Sequence, residues 1–143
     1  MDRFPTMSAS LPIAFVEDDP SFSRAVARFL RVSGLQVRTF GSAEEFLGSP
    51  PEAYGCLIFD YQLPGISGLE LFQQLSATGS QLSAIFISAQ DEAGIRERVA
   101  QLPGCAFLRK PFVVADLLEA VMTQLGKHRS FPHTILTPDQ PIP

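Results

Sequence analysis

The sequence predicts an α/β fold in which a five-stranded parallel sheet is covered by helices on both faces. Three observations predict it. Short apolar runs alternate with segments whose apolar residues recur at helical period. The run "CLIFD" (Cys56 to Asp60) is continuously apolar rather than alternating, as a strand buried on both faces requires. Each strand-like run is followed by a helical segment, which makes five β-α units and argues for parallel strands joined by crossovers. At 143 residues the chain suits one domain, large enough to bury a core without metal or disulfide staples.

The elements follow in order. "IAFV" (Ile13 to Val16) is the first strand, and Phe22, Ala25, Val26, Phe29 and Leu30 then mark one face of a helix. Asp19 followed by Pro20 suits its start, because the Asp side chain can accept from free amides and Pro fits the first turn. Gly34 suits its stop. "LQVRTF" (Leu35 to Phe40) alternates like a strand, and "SAEEFL" from Ser42 carries the Ser-x-x-Glu pattern of a capping box. After "CLIFD" comes a Pro-Gly turn, then a helix on Leu69, Leu71, Phe72 and Leu75. "SAIFIS" (Ser83 to Ser88) is the fourth strand, Asp91 to Leu102 a more polar fourth helix, and "CAFL" (Cys105 to Leu108) the fifth strand. Leu117, Leu118, Val121 and Leu125 anchor the last helix.

Composition excludes several classes. The net charge is −4 and the eleven basic residues are scattered, which argues against a general grip on nucleic acid or an anionic membrane. No apolar run approaches the ~20 residues of a membrane span. The opening "MDRFPTMSAS" lacks the apolar stretch of a signal peptide, so a cytoplasmic location is expected. Cys56 and Cys105 flank apolar runs and read as buried thiols rather than a disulfide or metal site.

The strand ends hold the chemistry. In parallel sheets, sites form beyond the carboxyl ends of the strands. Strand one ends in Glu17 and Asp18, strand three in Asp60, strand four in Ser88, and Lys110 follows strand five. Parallel strands would bring three acids, a hydroxyl and an ammonium to one edge. Clustered carboxylates resist ionising together unless a cation offsets them, and a hard divalent ion such as Mg²⁺ takes oxygen ligands. A carboxylate so placed can attack a phosphoryl group and form an aspartyl phosphate. Lys110 and the metal would neutralise the transferring oxygens, and the Ser88 hydroxyl could hydrogen-bond one of them. Asp19 reads as a helix cap rather than a member of this set.

The stretches "VEDDP", "FDYQLPGISGLEL", "IFISAQ" and "FLRKPF", in this order and spacing, resemble the receiver domain of two-component response regulators over about Leu11 to Leu125. "SGLQVRTFGSAEEFL" and "FLRKPF" resemble FixJ-type receivers in particular. The resemblance implies a doubly wound, flavodoxin-like (βα)5 sheet of strand order 2-1-3-4-5. It also implies Asp60 as phosphoacceptor and Asp18 as a direct Mg²⁺ ligand, with Glu17 acting through water and the Gln62 backbone carbonyl completing the metal site. Ser88 matches the switch hydroxyl, Phe107 the switch aromatic, and Lys110 the lysine before a cis Pro111. Gln62 and Gln90 flank the phosphoryl site and are expected to set the lifetime of the acyl phosphate. Ala89 is small and leaves the pocket open to a phosphodonor.

The expected organisation is a flexible segment at 1–10, the receiver domain at 11–126 and a Pro-rich tail at 127–143 without an output domain. Phe131, Ile135 and Leu136 give the tail apolar points for docking on a partner, and His128 and His133 lack ligand spacing. The whole reads as a single-domain response regulator rather than an enzyme. It would accept a phosphoryl group from a sensor histidine kinase or phosphotransfer protein and signal to a downstream protein. A homodimer through helix 4, strand 5 and helix 5 is possible, and no direct DNA binding is expected. Two alternatives are a phosphorylation-independent binding module and a haloacid-dehalogenase-type hydrolase. The latter usually has a second Asp where Gln62 stands.

Overall fold

The computed structural model describes residues 11–79, 82–89 and 94–130. Expectations for the segment 1–10, for Gln90, for the stretch from Asp91 to Ala93 and for the chain beyond 130, including Phe131, His133, Ile135 and Leu136, lie outside the described residues, as does the side chain of His128.

Strands β1 (Ile13–Val16), β2 (Val37–Phe40), β3 (Cys56–Asp60), β4 (Ala84–Ser88) and β5 (Cys105–Arg109) form one sheet in the order β2-β1-β3-β4-β5. Every neighbouring pair is parallel. Helices α1 (Pro20–Val32), α2 (Ala43–Leu47), α3 (Gly68–Ala77), α4 (Ile95–Ala100) and α5 (Val114–Ser130) connect or follow the strands, with a short 3-10 turn at Pro51–Ala53. This is the doubly wound order expected from the sequence.

Strand alternation divides the core in two. Ala14, Val16, Leu57, Phe59, Ala84 and Phe86 pack on one face with Phe46, Leu71, Phe72, Leu75, Ile95 and Val99, so α2, α3 and α4 cover that side. Ile13, Phe15, Cys56, Ile58, Ile85 and Ile87 pack on the other with Val26, Ala27, Leu30, Leu117, Val121 and Leu125, from α1 and α5. The three central strands are buried throughout, which is why their sequences are continuously apolar. Each of their large side chains contributes about 1.5–3 kcal/mol relative to exposure, so a carboxylate at a strand end rests on a stiff support.

Local chemistry sets the helix ends. Asp19 Oδ1 accepts from the amides of Ser21 (3.0 Å) and Phe22 (3.3 Å), and Pro20 occupies the first helical position of α1. Gly34, at φ +97°, ends α1 in a left-handed turn, with Leu35 N–H donating to Leu30 O and Gly34 N–H to Arg31 O. That use of Leu35 delays β2 to Val37, two residues later than the alternation suggests. Ser42 Oγ accepts from Glu45 N–H as expected, but the Glu45 carboxylate takes the Gly41 amide (2.7 Å) instead of completing the box on Ser42. A complete capping box instead starts α3, at Ser67 and Glu70.

Three boundaries differ further. Helix α4 runs from Ile95 to Ala100, shorter at its described end than the expected Leu102, and it begins after Gly94 in the left-handed region at φ +106°. Strand β5 extends to Arg109 because Ser88 pairs with it. Helix α5 continues to Ser130, so residues 127–130 are helical rather than part of an extended tail. Nothing between Gly126 and Pro132 breaks a helix, and the lone Gly126 only weakens one. Cys56 is buried as expected whereas Cys105 is only partly so; both are free, and burial pushes both thiols up to about 12, where they stay protonated and unreactive. Among the described residues no helix is long and apolar enough to cross a membrane.

Candidate functional site

Parallel pairing brings the expected residues together. The ladder continues past the strands: Glu17 N–H donates to Phe40 O (2.9 Å), Tyr61 N–H to Ile87 O (2.7 Å) and Lys110 N–H to Ser88 O (2.8 Å). These bonds carry the sheet's alignment into the loops. Ligand atoms of Glu17, Asp18 and Asp60 consequently lie within 4.8 Å of one another, with Glu17 and Asp60 buried and Asp18 exposed.

Lys110 reaches into this cluster. Its Nζ donates to Asp60 Oδ2 at 2.8 Å and to Glu17 Oε1 at 3.3 Å, although the residues lie 50 and 93 positions apart in the chain. The other oxygens are also held. Asp60 Oδ1 accepts from the Gln62 amide at 3.0 Å, a turn that Asp side chains form readily with the residue two further on. Glu17 Oε2 accepts from the Asp19 amide at 3.1 Å. Burial pushes the Glu17 carboxyl above its ordinary value, and the Asp60 charge adds to this against the lowering by the Asp19 amide and Lys110. Burial alone would lower the Lys110 ammonium, but its hydrogen bonds and charge attraction with Asp60 and Glu17 outweigh it and hold the group above its ordinary value.

Three carboxylates against one ammonium leave two formal negative charges when all are ionised. The donor set consists of carboxylate oxygens, and one acid opens to solvent. Such a set fits a hard divalent cation. Ser88 is 1% exposed at the end of β4 beside this edge, and Gln62 is exposed. Phe107 is half-buried on β5, opposite Phe86, with the Arg96 guanidinium 4.8 Å from its ring centroid. The Lys110–Pro111 peptide is cis, as expected.

Several contributors were not singled out in the sequence. Gly68 lies against the Asp60 backbone, where a Cβ would collide with the Asp60 carbonyl oxygen. The Glu44 carboxylate accepts from the Ile66 amide at 3.2 Å, and a Cβ on Gly65 would sit 2.6 Å from it, so α2 braces the loop after Asp60. Phe22 places its ring 4.5 Å below the Lys110 ammonium. Gly68 had a signal in its position at a helix start; Phe22 had none beyond its place in an apolar stripe.

A family model described as "Response regulator receiver domain" matches residues 13–122. The chain belongs to that family. Its curated relatives include the transcriptional regulatory protein FixJ of Azorhizobium caulinodans, 35% identical over 122 residues, covering 85% of this chain and 58% of that protein. Nodulation protein W of Bradyrhizobium diazoefficiens is 36% identical, covering 87% of this chain and 56% of that one. The receiver thus spans little more than half the length of these relatives. Among solved structures, a response regulator receiver protein from Burkholderia phymatum superposes with a TM-score of 0.69 at 38% identity, covering 80% of this chain and 95% of that one. The crystal structure of FixJ-N superposes with a TM-score of 0.74 at 22% identity, covering 90% of this chain and 98% of that one, and shows the shared fold. Receiver membership places the chain in two-component signalling, in a family of generally non-enzymatic signalling domains.

Proposed function

We propose that this receiver takes a phosphoryl group onto Asp60 from the phosphohistidine of a sensor histidine kinase or phosphotransfer protein. The observation that carries the reading is the Asp60 carboxylate at the end of β3, held by the Gln62 amide and Lys110 beside Glu17 and Asp18. A carboxylate oxygen of Asp60 attacks phosphorus; the new O–P bond forms as the P–N bond breaks, and the imidazole nitrogen keeps the electron pair and takes a proton. Lys110 neutralises a phosphoryl oxygen, and the Ser88 hydroxyl hydrogen-bonds another. Mg²⁺, held by Asp18, Asp60 and the Gln62 carbonyl with Glu17 acting through water, would offset the charge that accumulates there.

The output is a changed protein surface. Phosphorylation favours a rearrangement of Ser88 and Phe107, altering the face made by α4, β5 and α5, through which a downstream protein or a second copy of the chain binds. The shift equals the difference in affinity for the two arrangements. Gln62 and Gln90 set the lifetime of the acyl phosphate; if Gln62→Lys and Gln90→Ala leave the dephosphorylation rate unchanged, that role is wrong.

The test is intact mass after incubation with Mg²⁺ and acetyl phosphate, for the wild type and Asp60→Asn. A Mg²⁺-dependent gain of one phosphoryl group that the variant lacks is expected. No gain, together with failure to bind beryllofluoride, would move the reading to a phosphorylation-independent module; turnover of phosphate esters would move it to a hydrolase.

A further inference from the structure

We propose that Phe22 is a positioning residue for Lys110, its ring face confining the ammonium to the side of the site that holds Asp60 and Glu17. The inference rests on the phosphoryl-transfer reading above and adds to it a residue outside the acid, hydroxyl and lysine set.

A lysine ammonium is a compact, strongly hydrated charge on a flexible four-carbon stem, and two hydrogen bonds do not by themselves fix it. Here the ammonium also lies over the Phe22 ring, 4.5 Å from its centroid. The electron-rich face of an aromatic ring attracts a cation at this distance, and the attraction grows as water is excluded. An aliphatic side chain would fill the space without that attraction. Lys110 retains 21% of its side-chain exposure, so most of the side chain is withdrawn from water and the ring contact is only partly screened.

The ring is itself held. Phe15 on β1 meets it at 6.2 Å and an interplanar angle of 61°, and Phe112, two residues after Lys110, meets it at 5.9 Å and 69°. Its backbone amide donates to the Asp19 cap, in the first turn of α1. One short segment thus supplies the acidic pair, the cap and the ring. Phe22 limits Lys110 to the arc in which it can meet a phosphoryl oxygen on Asp60.

The test combines two readouts. In metal-free wild-type protein, the Lys110 ε-methylene NMR signals, assigned by their loss in Lys110→Met, are expected upfield from ring current, to lose that shift in Phe22→Leu and to keep it in Phe22→Tyr. In the second, Phe22→Leu lowers the rate of Mg²⁺-dependent phosphorylation by acetyl phosphate by about three- to tenfold, the range of such contacts. Phe22→Tyr restores most of the rate, and in the Lys110→Met background the Leu substitution has no further effect. Thermal melts check that each variant folds. Unshifted Lys110 signals in the wild type overturn the proposal, as does an equal loss with Leu and Tyr or a Leu effect that persists without Lys110. If wild-type protein takes up no phosphoryl group, the phosphoryl reading fails, and the ring-current shift still decides whether Phe22 positions Lys110.

Discussion

Replacing Lys110 by Met removes the ammonium while keeping an unbranched stem of similar length, so it isolates the charge. Glu17 and Asp60 are 3% and 8% exposed, and Lys110 bonds both, at 3.3 and 2.8 Å. Removing one partner of a fully buried ion pair costs about 3–5 kcal/mol. Lys110 keeps 21% of its side-chain exposure, and solvent screening reduces the expected cost to about 2–3 kcal/mol. For a domain of this size each kcal/mol moves the melting temperature by about 3–4 °C, which gives a fall of about 6–12 °C in EDTA. Mg²⁺ should then stabilise the variant more than the wild type, because the lysine charge no longer opposes the ion. At ten times its dissociation constant an ion adds about 1.4 kcal/mol. Calorimetry with EDTA and with Mg²⁺ provides the comparison. An unchanged metal-free melting temperature, or a smaller Mg²⁺ effect in the variant, would refute the assignment of Lys110 as the counter-charge of this cluster.

Glu17→Gln should raise the metal-free melting temperature, by about 1 kcal/mol in stability, and blunt the Mg²⁺ response, because burial and Asp60 both disfavour the ionised Glu17. A raised carboxyl binds its proton more tightly in the folded state, so the wild type loses stability relative to Gln as the pH rises through the Glu17 titration. Lys110 has the same sign in a higher window: its contribution is complete below the ordinary lysine range and is lost as the pH climbs through the raised folded value. The difference in urea midpoint between wild type and Lys110→Met should shrink there. Gly68→Ala forces the Asp60 backbone to move and should cost about 1–3 kcal/mol in urea unfolding and slow phosphorylation by acetyl phosphate. Gln124→Leu removes amide bonds to Ala84 O (2.9 Å) and Gly104 O (2.7 Å), and should cost about 2 kcal/mol without altering that reaction.

Much of this was legible because burial on both faces forces uninterrupted apolar runs such as "CLIFD" and "AIFIS", and because parallel strands put their ends at one edge. Glu17, Asp18, Asp60 and Lys110 meet there as the sequence suggested. Less legible features depend on contacts between distant segments. Nothing near Phe22 announces a lysine on the far side of the chain, and nothing near Glu44 announces the Ile66 amide. Gln124 interrupts an apolar face, and its meaning appears only once the two carbonyls at the opposite edge of the sheet are in place. A backbone amide with a competing partner changed local detail at two places: Leu35 delays the start of β2, and Gly41 draws the Glu45 carboxylate away from the cap.

The Gln124 amide has a mechanical consequence. It fastens the later part of α5 to the ends of β4 and β5 furthest from Asp60, while the start of α5 adjoins the Lys110 loop. Leu117 and Val121, buried in the core, hold the stretch between these two points. Movement of Lys110 and Phe112 would then reach only the turn before Leu117, where Val113 and Val114 are exposed, and leave the Gln124 bonds in place. The displaced surface would therefore be the first turn of the helix, next to the chemistry, rather than its far end.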